Sequence, residues 1–203
     1  MEAFTKITAI AAPMDMANID TDQIIPAPFL RRPRDNSFAG TLFQRVRRDA
    51  DGSMCDDFIL NQPPYDRARI IVANHNFGCG SSREAAAWAL LSEGFRTVIA
   101  PSFGDIHYNN QMNNGMVPVI LPAAVCDGLR AQLHASPGVR MTVDLESQTV
   151  IGPDGAAHDF TIPEFNRYRL LNGLDDLDVT LQSEAEIAAF EARRRNDADW
   201  LFA

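Results

Sequence analysis

Residues 76–90, NFGCGSSREAAAWAL, set two glycines, a cysteine, two serines, an arginine and a glutamate ahead of an apolar run. From Ala85 to Leu91 the segment is apolar nearly all round, which marks a helix buried within the protein. The start of such a helix holds free backbone N–H groups and the positive end of the helix dipole in a low-dielectric setting, an arrangement that suits an anion. Gly78 and Gly80 can bring backbone donors close to a ligand or adopt positive φ. Ser81 and Glu84 have the spacing of a capping box, which alone would account for both. Arg83 is different. A cation in the first turn opposes the dipole, and a locally unfavourable residue at an anion-binding geometry points to function.

Other uses of this loop fail on spacing. The phosphate loop GxxxxGK[ST] lacks its lysine, Arg83 stands where the dinucleotide fingerprint has its third glycine, and the GxSxG elbow is absent. Cys79-Gly80-Ser81 half-matches the papain-type CGSC, but Ser82 replaces the second cysteine. A helix start would lower the Cys79 pKa, yet a free cysteine is more often small packing material. A second cluster precedes the first. Asn18, Asp20 and Asp22 alternate as in a calcium loop, yet Gln23 stands where the glycine belongs and Phe29 where the bidentate glutamate belongs, so Asx turns are expected instead. Arg31, Arg32 and Arg34 follow. As a solvated surface they need no function; beside an anion-binding helix start they fit a carboxylate substrate, because guanidinium groups pair bidentately with carboxylates.

These residues need elements to position them. The segment EAFTKITAIAAPM predicts a strand ending near Pro13, followed by the loop MANIDTDQIIPAPFLRRPRDNSFAG and a short helix around Leu42 to Arg48. Arg69 to Ala73 predicts a buried strand leading into the glycine loop and a helix from about Ser82 to Glu93. Strand RTVIAP, helix SFGDIHYNNQMNNG with Gly115 as its cap, strand MVPVIL and a helix opening at Pro122 and closing at Gly138 continue the alternation. Residues 139–162 alternate as a hairpin or meander turning at PDG. Two or three helices finish the chain, the last with a capping box at Ser183 and Glu186. The fold class is α/β with a mixed sheet.

Composition bounds the function. A chain of 203 residues, 46% hydrophobic and 22% charged, has the make-up of a globular protein and suits one domain. No apolar stretch approaches the roughly 20 residues of a membrane helix, and MEAFTKITAI has neither the basic start nor the long apolar run of a signal peptide, so a cytoplasmic location is expected. A formal charge of -9 opposes nonspecific binding of nucleic acid. Three cysteines and four histidines are scattered without metal-ligand spacing, so any metal centre has to come from a partner.

NIDTDQIIP, NFGCGSSRE, APSFGDI and NNGMVPV, in this order and spacing, together with the C-terminal NGLDDLDVTLQ, resemble the small subunits of bacterial 3-isopropylmalate dehydratases, members of the aconitase superfamily. The resemblance covers nearly the whole chain. It implies one swivelling β/β/α domain, like aconitase domain 4, over residues 1–203, with a C-terminal helical extension. It implies a separate large subunit that holds a 4Fe-4S cluster, none being bound by this chain alone, and a small dicarboxylate substrate. The implied reaction is dehydration and rehydration, interconverting 2-isopropylmalate and 3-isopropylmalate in leucine biosynthesis. By the same resemblance Ser81 is the base that takes a proton from carbon, and Ser82 and Arg83, with Gly80, bind a substrate carboxylate. Asp20, Thr21 and Asp22 shape the site wall, and the loop from Phe29 through Arg31 and Arg32 lies near the substrate's variable group. The family usually continues SSRE with HAPWAL; Ala85 and Ala87 replace that histidine and proline here. Because Arg31 and Arg32 make the recognition loop polar, relatives acting on citramalate, maleate or dimethylmaleate are the alternatives within the superfamily, and a noncatalytic dicarboxylate-binding module is the alternative outside it.

Overall fold

The computed structural model describes residues 1–35, 38–198 and 200. Seven strands form one mixed sheet: β1 (Lys6–Met14), β2 (Ile70–Ala73), β3 (Thr97–Ala100), β4 (Val117–Ile120), β5 (Arg140–Asp144), β6 (Thr149–Ile151) and β7 (Ala157–Asp159), in the order β4-β3-β2-β1-β5-β6-β7. The first four in that order run parallel, and β1, β5, β6 and β7 pair antiparallel as the expected meander. Every residue of β2 and β3 is buried, as their unbroken apolar or β-branched sequences require of strands covered on both faces.

The helices are α1 (Thr21–Ile24), α2 (Gln44–Arg47), α3 (Glu84–Ser92), α4 (Asp105–Asn113), α5 (Ala123–Ala135), α6 (Glu164–Asn172), α7 (Asp176–Leu181) and α8 (Glu184–Asp197). Strand side chains alternate between two cores. Ile71, Ala73 and Val98 join α1 and α3 on one face; Ile70, Val72 and Ile99 join α5 on the other. Ala85, Ala86, Ala87, Ala89 and Leu90 of α3 are buried, in keeping with its all-round apolar sequence. No described helix is long and apolar enough to cross a membrane.

Four local expectations are corrected. The stretch after β1 is more structured than a loop: Asp20 caps α1 in a capping box with Gln23, and a 3-10 turn follows at Ala27–Phe29; residues 36 and 37 of that stretch lie outside the described residues. The capping box at Ser183 and Glu186 does not form. Ser183 donates its N–H to Thr180 at the end of α7, and that turn keeps its backbone out of the extended conformation a side-chain cap needs. The box occurs instead at Asp175 and Asp178. Pro122 stands at the N-cap of α5 rather than at its first helical position, and Gly115, with φ of +85°, follows the C-cap Asn114 of α4.

Candidate functional site

Three loops leave the C-terminal ends of β1, β2 and β3 and meet above the sheet, where open α/β sheets place their ligand crevices. Their backbones are tied directly. Gly78 and Cys79 donate N–H bonds to the Ile19 carbonyl at 2.7 and 3.2 Å, and Thr21 donates to the Cys79 carbonyl at 3.0 Å. Phe77 donates to the Ser102 carbonyl and Gly104 to the Phe77 carbonyl. Asn18 and Asn76, both at positive φ, are joined by a 2.9 Å side-chain bond that braces the two turns against each other.

Gly78 and Gly80 stand at φ of +74° and +84°, which a side chain would strain. Gly78 is also filled from outside: a Cβ there would lie 2.0 Å from the His107 ring. The loop then carries Ser81 and Ser82, both exposed, to Arg83. The Thr21 hydroxyl donates to the Ser81 carbonyl at 2.6 Å, fixing the backbone from which the Ser81 side chain projects. Asp22 approaches Arg83 at 3.2 Å through one carboxylate oxygen and accepts from Arg45 at 3.2 Å through the other. The Arg83 Nε is buried and has no hydrogen-bond partner among the described residues, so part of this guanidinium is held in place with a donor to spare.

The Ser81 and Glu84 capping box is overturned. Helix α3 begins at Glu84, three residues after Ser81, and its N-cap is Arg83 in extended conformation with no side-chain cap. Glu84 turns away to accept from Asn114, which also accepts from the Trp88 indole and so ties α3 to α4. Arg83 therefore precedes the first turn instead of lying within it, and the first N–H groups of α3 are left without a side-chain partner. Of the two readings of Cys79, the packing one fits. Desolvation, with Asp20 adding to it, pushes the thiol up, so it stays neutral and packs.

Gly78, Gly80, Ser81 and Ser82 line one side of a cavity of about 190 Å³, and Gly104, Asp105, Ile106 and His107 line the other. The structure thus brings together Gly80, Ser81, Ser82, Arg83, Asp20, Thr21 and Asp22. Arg31 and Arg32 are exposed and do not line this cavity; Arg32 lies over the Phe29 ring, 4.7 Å from its centroid. Sequence reasoning missed the α4 side of the cavity. The signal was in SFGDIH, a second glycine-to-helix turn after a second parallel strand, equivalent in topology to the serine loop. No three His, Cys, Asp or Glu side chains among the described residues gather as a metal site.

Family comparisons point the same way. The aconitase C-terminal domain model matches residues 1–124, a LeuD model (LeuD_N) matches 127–164, and the model for the C-terminal domain of 3-isopropylmalate dehydratase small subunits matches 176–203. The 3-isopropylmalate dehydratase small subunit of Gluconacetobacter diazotrophicus is 51% identical over 98% of this chain and 97% of its own length. That of Dinoroseobacter shibae is 48% identical over 99% of this chain and all of its own. A crystal structure of 3-isopropylmalate dehydratase from Methanocaldococcus jannaschii matches with a TM-score of 0.65 at 25% identity, covering 92% of this chain and 99% of that one.

Proposed function

The chain belongs to the family of 3-isopropylmalate dehydratase small subunits, and from that premise we propose that the cavity under Ser81 and Ser82 is its half of the active site. The protein is a hydro-lyase subunit of leucine biosynthesis that acts with a large subunit. The single observation that carries the site is the loop from Gly80 to Arg83: two exposed serines on a braced backbone, beside a guanidinium held by Asp22 with a buried donor unpaired.

On this reading Arg83 and the Ser82 hydroxyl hold a substrate carboxylate, and the uncapped start of α3 adds positive potential behind them. Ser81 Oγ takes the proton from the substrate carbon as the C–O bond of the neighbouring carbon breaks. The proton held by Ser81 and the hydroxide lost from the neighbouring carbon together amount to one water, and an alkene remains; the reverse addition at the other carbon completes the isomerisation. A neutral serine is a weak base. Its alkoxide is tolerable only in a closed site where Arg83 and helix N–H groups face it in a low dielectric. A 4Fe-4S cluster held by the large subunit would supply Lewis acidity at the departing hydroxyl. Asp20 and Thr21 set the wall by fixing the serine loop, and Arg31 and Arg32 belong to the loop nearest the substrate's variable group. The chain as a whole moves as one swivelling domain, residues 1–203, that closes over the partner, in the cytoplasm.

The test is alkene formation by the anaerobic complex with its large subunit, offered 3-isopropylmalate and citramalate separately. Turnover of 3-isopropylmalate, lost in Ser81→Ala while assembly persists, is the expected result. Full activity in Ser81→Ala would remove the base, and a preference for citramalate would overturn the substrate.

A further inference from the structure

An isopropyl branch needs an apolar contact, which guanidinium groups do not offer. The loop from Phe29 to Arg32 has little to give it. Arg31 and Arg32 are exposed, while the apolar side chains of the loop, Phe29 and Leu30, pack against the core beneath. The Phe29 ring is covered as well, with the Arg32 guanidinium 4.7 Å from its centroid. The contact has to come from elsewhere.

The wall opposite the serines has one. Of the described residues that line the cavity, Ile106 alone carries a large apolar side chain, and it is 52% exposed. Its neighbour His107 turns into the core, where its ring packs on Phe77 at 5.7 Å between centroids. Successive residues of a helix are rotated by about 100°, so the same turn of α4 that buries His107 carries Ile106 to the open side. Asn109 and Asn113 continue that side one and two turns on, both exposed and both polar. Ile106 is thus the apolar end of a polar stripe, at the end that meets the cavity. Half in water, its side chain adds little to folding, and it gains only when an apolar group covers it. Nor can the wall draw back. Gly104 lies so close to the serine loop that a Cβ there would fall 2.5 Å from the Gly78 carbonyl oxygen, which holds the start of α4 against that loop.

We infer that Ile106 is the residue of this chain that receives the substrate's isopropyl group, and that it sets the preference for that branch over smaller ones. The carboxylate is held on the serine side of the cavity and the branch lies against α4 on the other. The inference rests on the reading of the serine cavity as the substrate site. It explains how a chain whose recognition loop ends in arginines selects an aliphatic branch.

The experiment measures inhibition of 3-isopropylmalate turnover by isopropylsuccinate and by methylsuccinate, two unreactive dicarboxylates that differ only in the size of the branch. It uses the assembled, cluster-bearing complex with wild-type small subunit, Ile106→Ala, Ile106→Val or Ser82→Ala, alongside thermal unfolding of each small subunit and its affinity for the large one. Ile106→Ala is expected to narrow the preference for isopropylsuccinate by about fivefold or more, and Ile106→Val to keep most of it. Tm and affinity for the large subunit should stay at wild-type values, because the side chain is exposed. Ser82→Ala should weaken both inhibitors alike. A wild-type preference in Ile106→Ala, equal weakening of the two inhibitors by that variant, or a marked fall in its Tm or in its affinity for the large subunit would each overturn the inference. If Ser82→Ala weakens both inhibitors while Ile106→Ala keeps the preference, only the branch contact is wrong; if Ser82→Ala weakens neither, the serine cavity itself is not the substrate site.

Discussion

Gly78 is the residue on which the site's geometry turns. Its positive φ aims the loop toward Ser81, and its missing side chain admits the His107 ring. Gly78→Ala should therefore cost about 3 kcal/mol or more, the sum of left-handed strain and overpacking, read as a fall in the denaturant midpoint at unchanged slope. The equivalent change at Gly80, where a Cβ would meet Asp20 at an ordinary 3.4 Å, should cost only the strain, about 1–2 kcal/mol. His107 makes a pH prediction. Burial lowers its pKa from 6.5 to about 4, so the unfolded chain binds this proton more readily than the folded one. Its contribution is fully present above pH 6.5 and is lost as pH falls toward 4, by about 3 kcal/mol across that interval. Unfolding free energy measured between pH 7 and 4.5 should decline, and His107→Phe should flatten the decline. The buried imidazole was not legible in the sequence, because desolvation is set by neighbours from distant segments. The serine loop was legible because its unusual residues are consecutive.

At the scale of elements, the loops are held from beneath by α5. Arg130 is buried, donates to the Ala73 carbonyl at the end of β2 at 2.9 Å, and reaches Asp15 just past the end of β1 at 3.1 Å. It therefore fixes the exits of the two strands from which Asp20 to Asp22 and Gly78 to Arg83 depart. Because Asp15 and Asp127 are largely exposed, the ion pairs themselves contribute little, and the loss on Arg130→Met is dominated by the orphaned carbonyl, about 1–3 kcal/mol. Asp20 acts at the other end of the same loop. Asp20→Ala removes the cap of α1 and should cost about 1 kcal/mol in chemical unfolding. The α1 cap shows where sequence reading stopped short. Asp20 with Gln23 is a four-residue signal within a stretch rich in proline and arginine, and a helix of one turn has no hydrophobic period to announce it. The capping boxes expected at Ser81 and Ser183 failed for the complementary reason: the spacing was present, but tertiary contacts set the helix start at Glu84 and the backbone of Ser183.

Across the whole molecule, alternation of buried strands with helices was sufficient to give the parallel half of the sheet, and the turn residues of PDG gave the meander. What the sequence did not carry was adjacency: β1 lies centrally between the parallel and antiparallel halves, beside β2, so that the exit loops of β1, β2 and β3 follow one another along the same edge of the sheet. That placement is why residues 20–22 and 80–83, some sixty positions apart, share one wall, and why the second wall comes from α4. The proposed function stands or falls with Ser81 as the group that takes the proton from carbon. Exchange of the substrate's carbon-bound hydrogen with solvent deuterium by the assembled, cluster-bearing complex measures that step without requiring net turnover. Exchange is expected from the wild-type complex and none from Ser81→Ala, with substrate still bound. Exchange at the wild-type rate in Ser81→Ala would show that the proton leaves by another route.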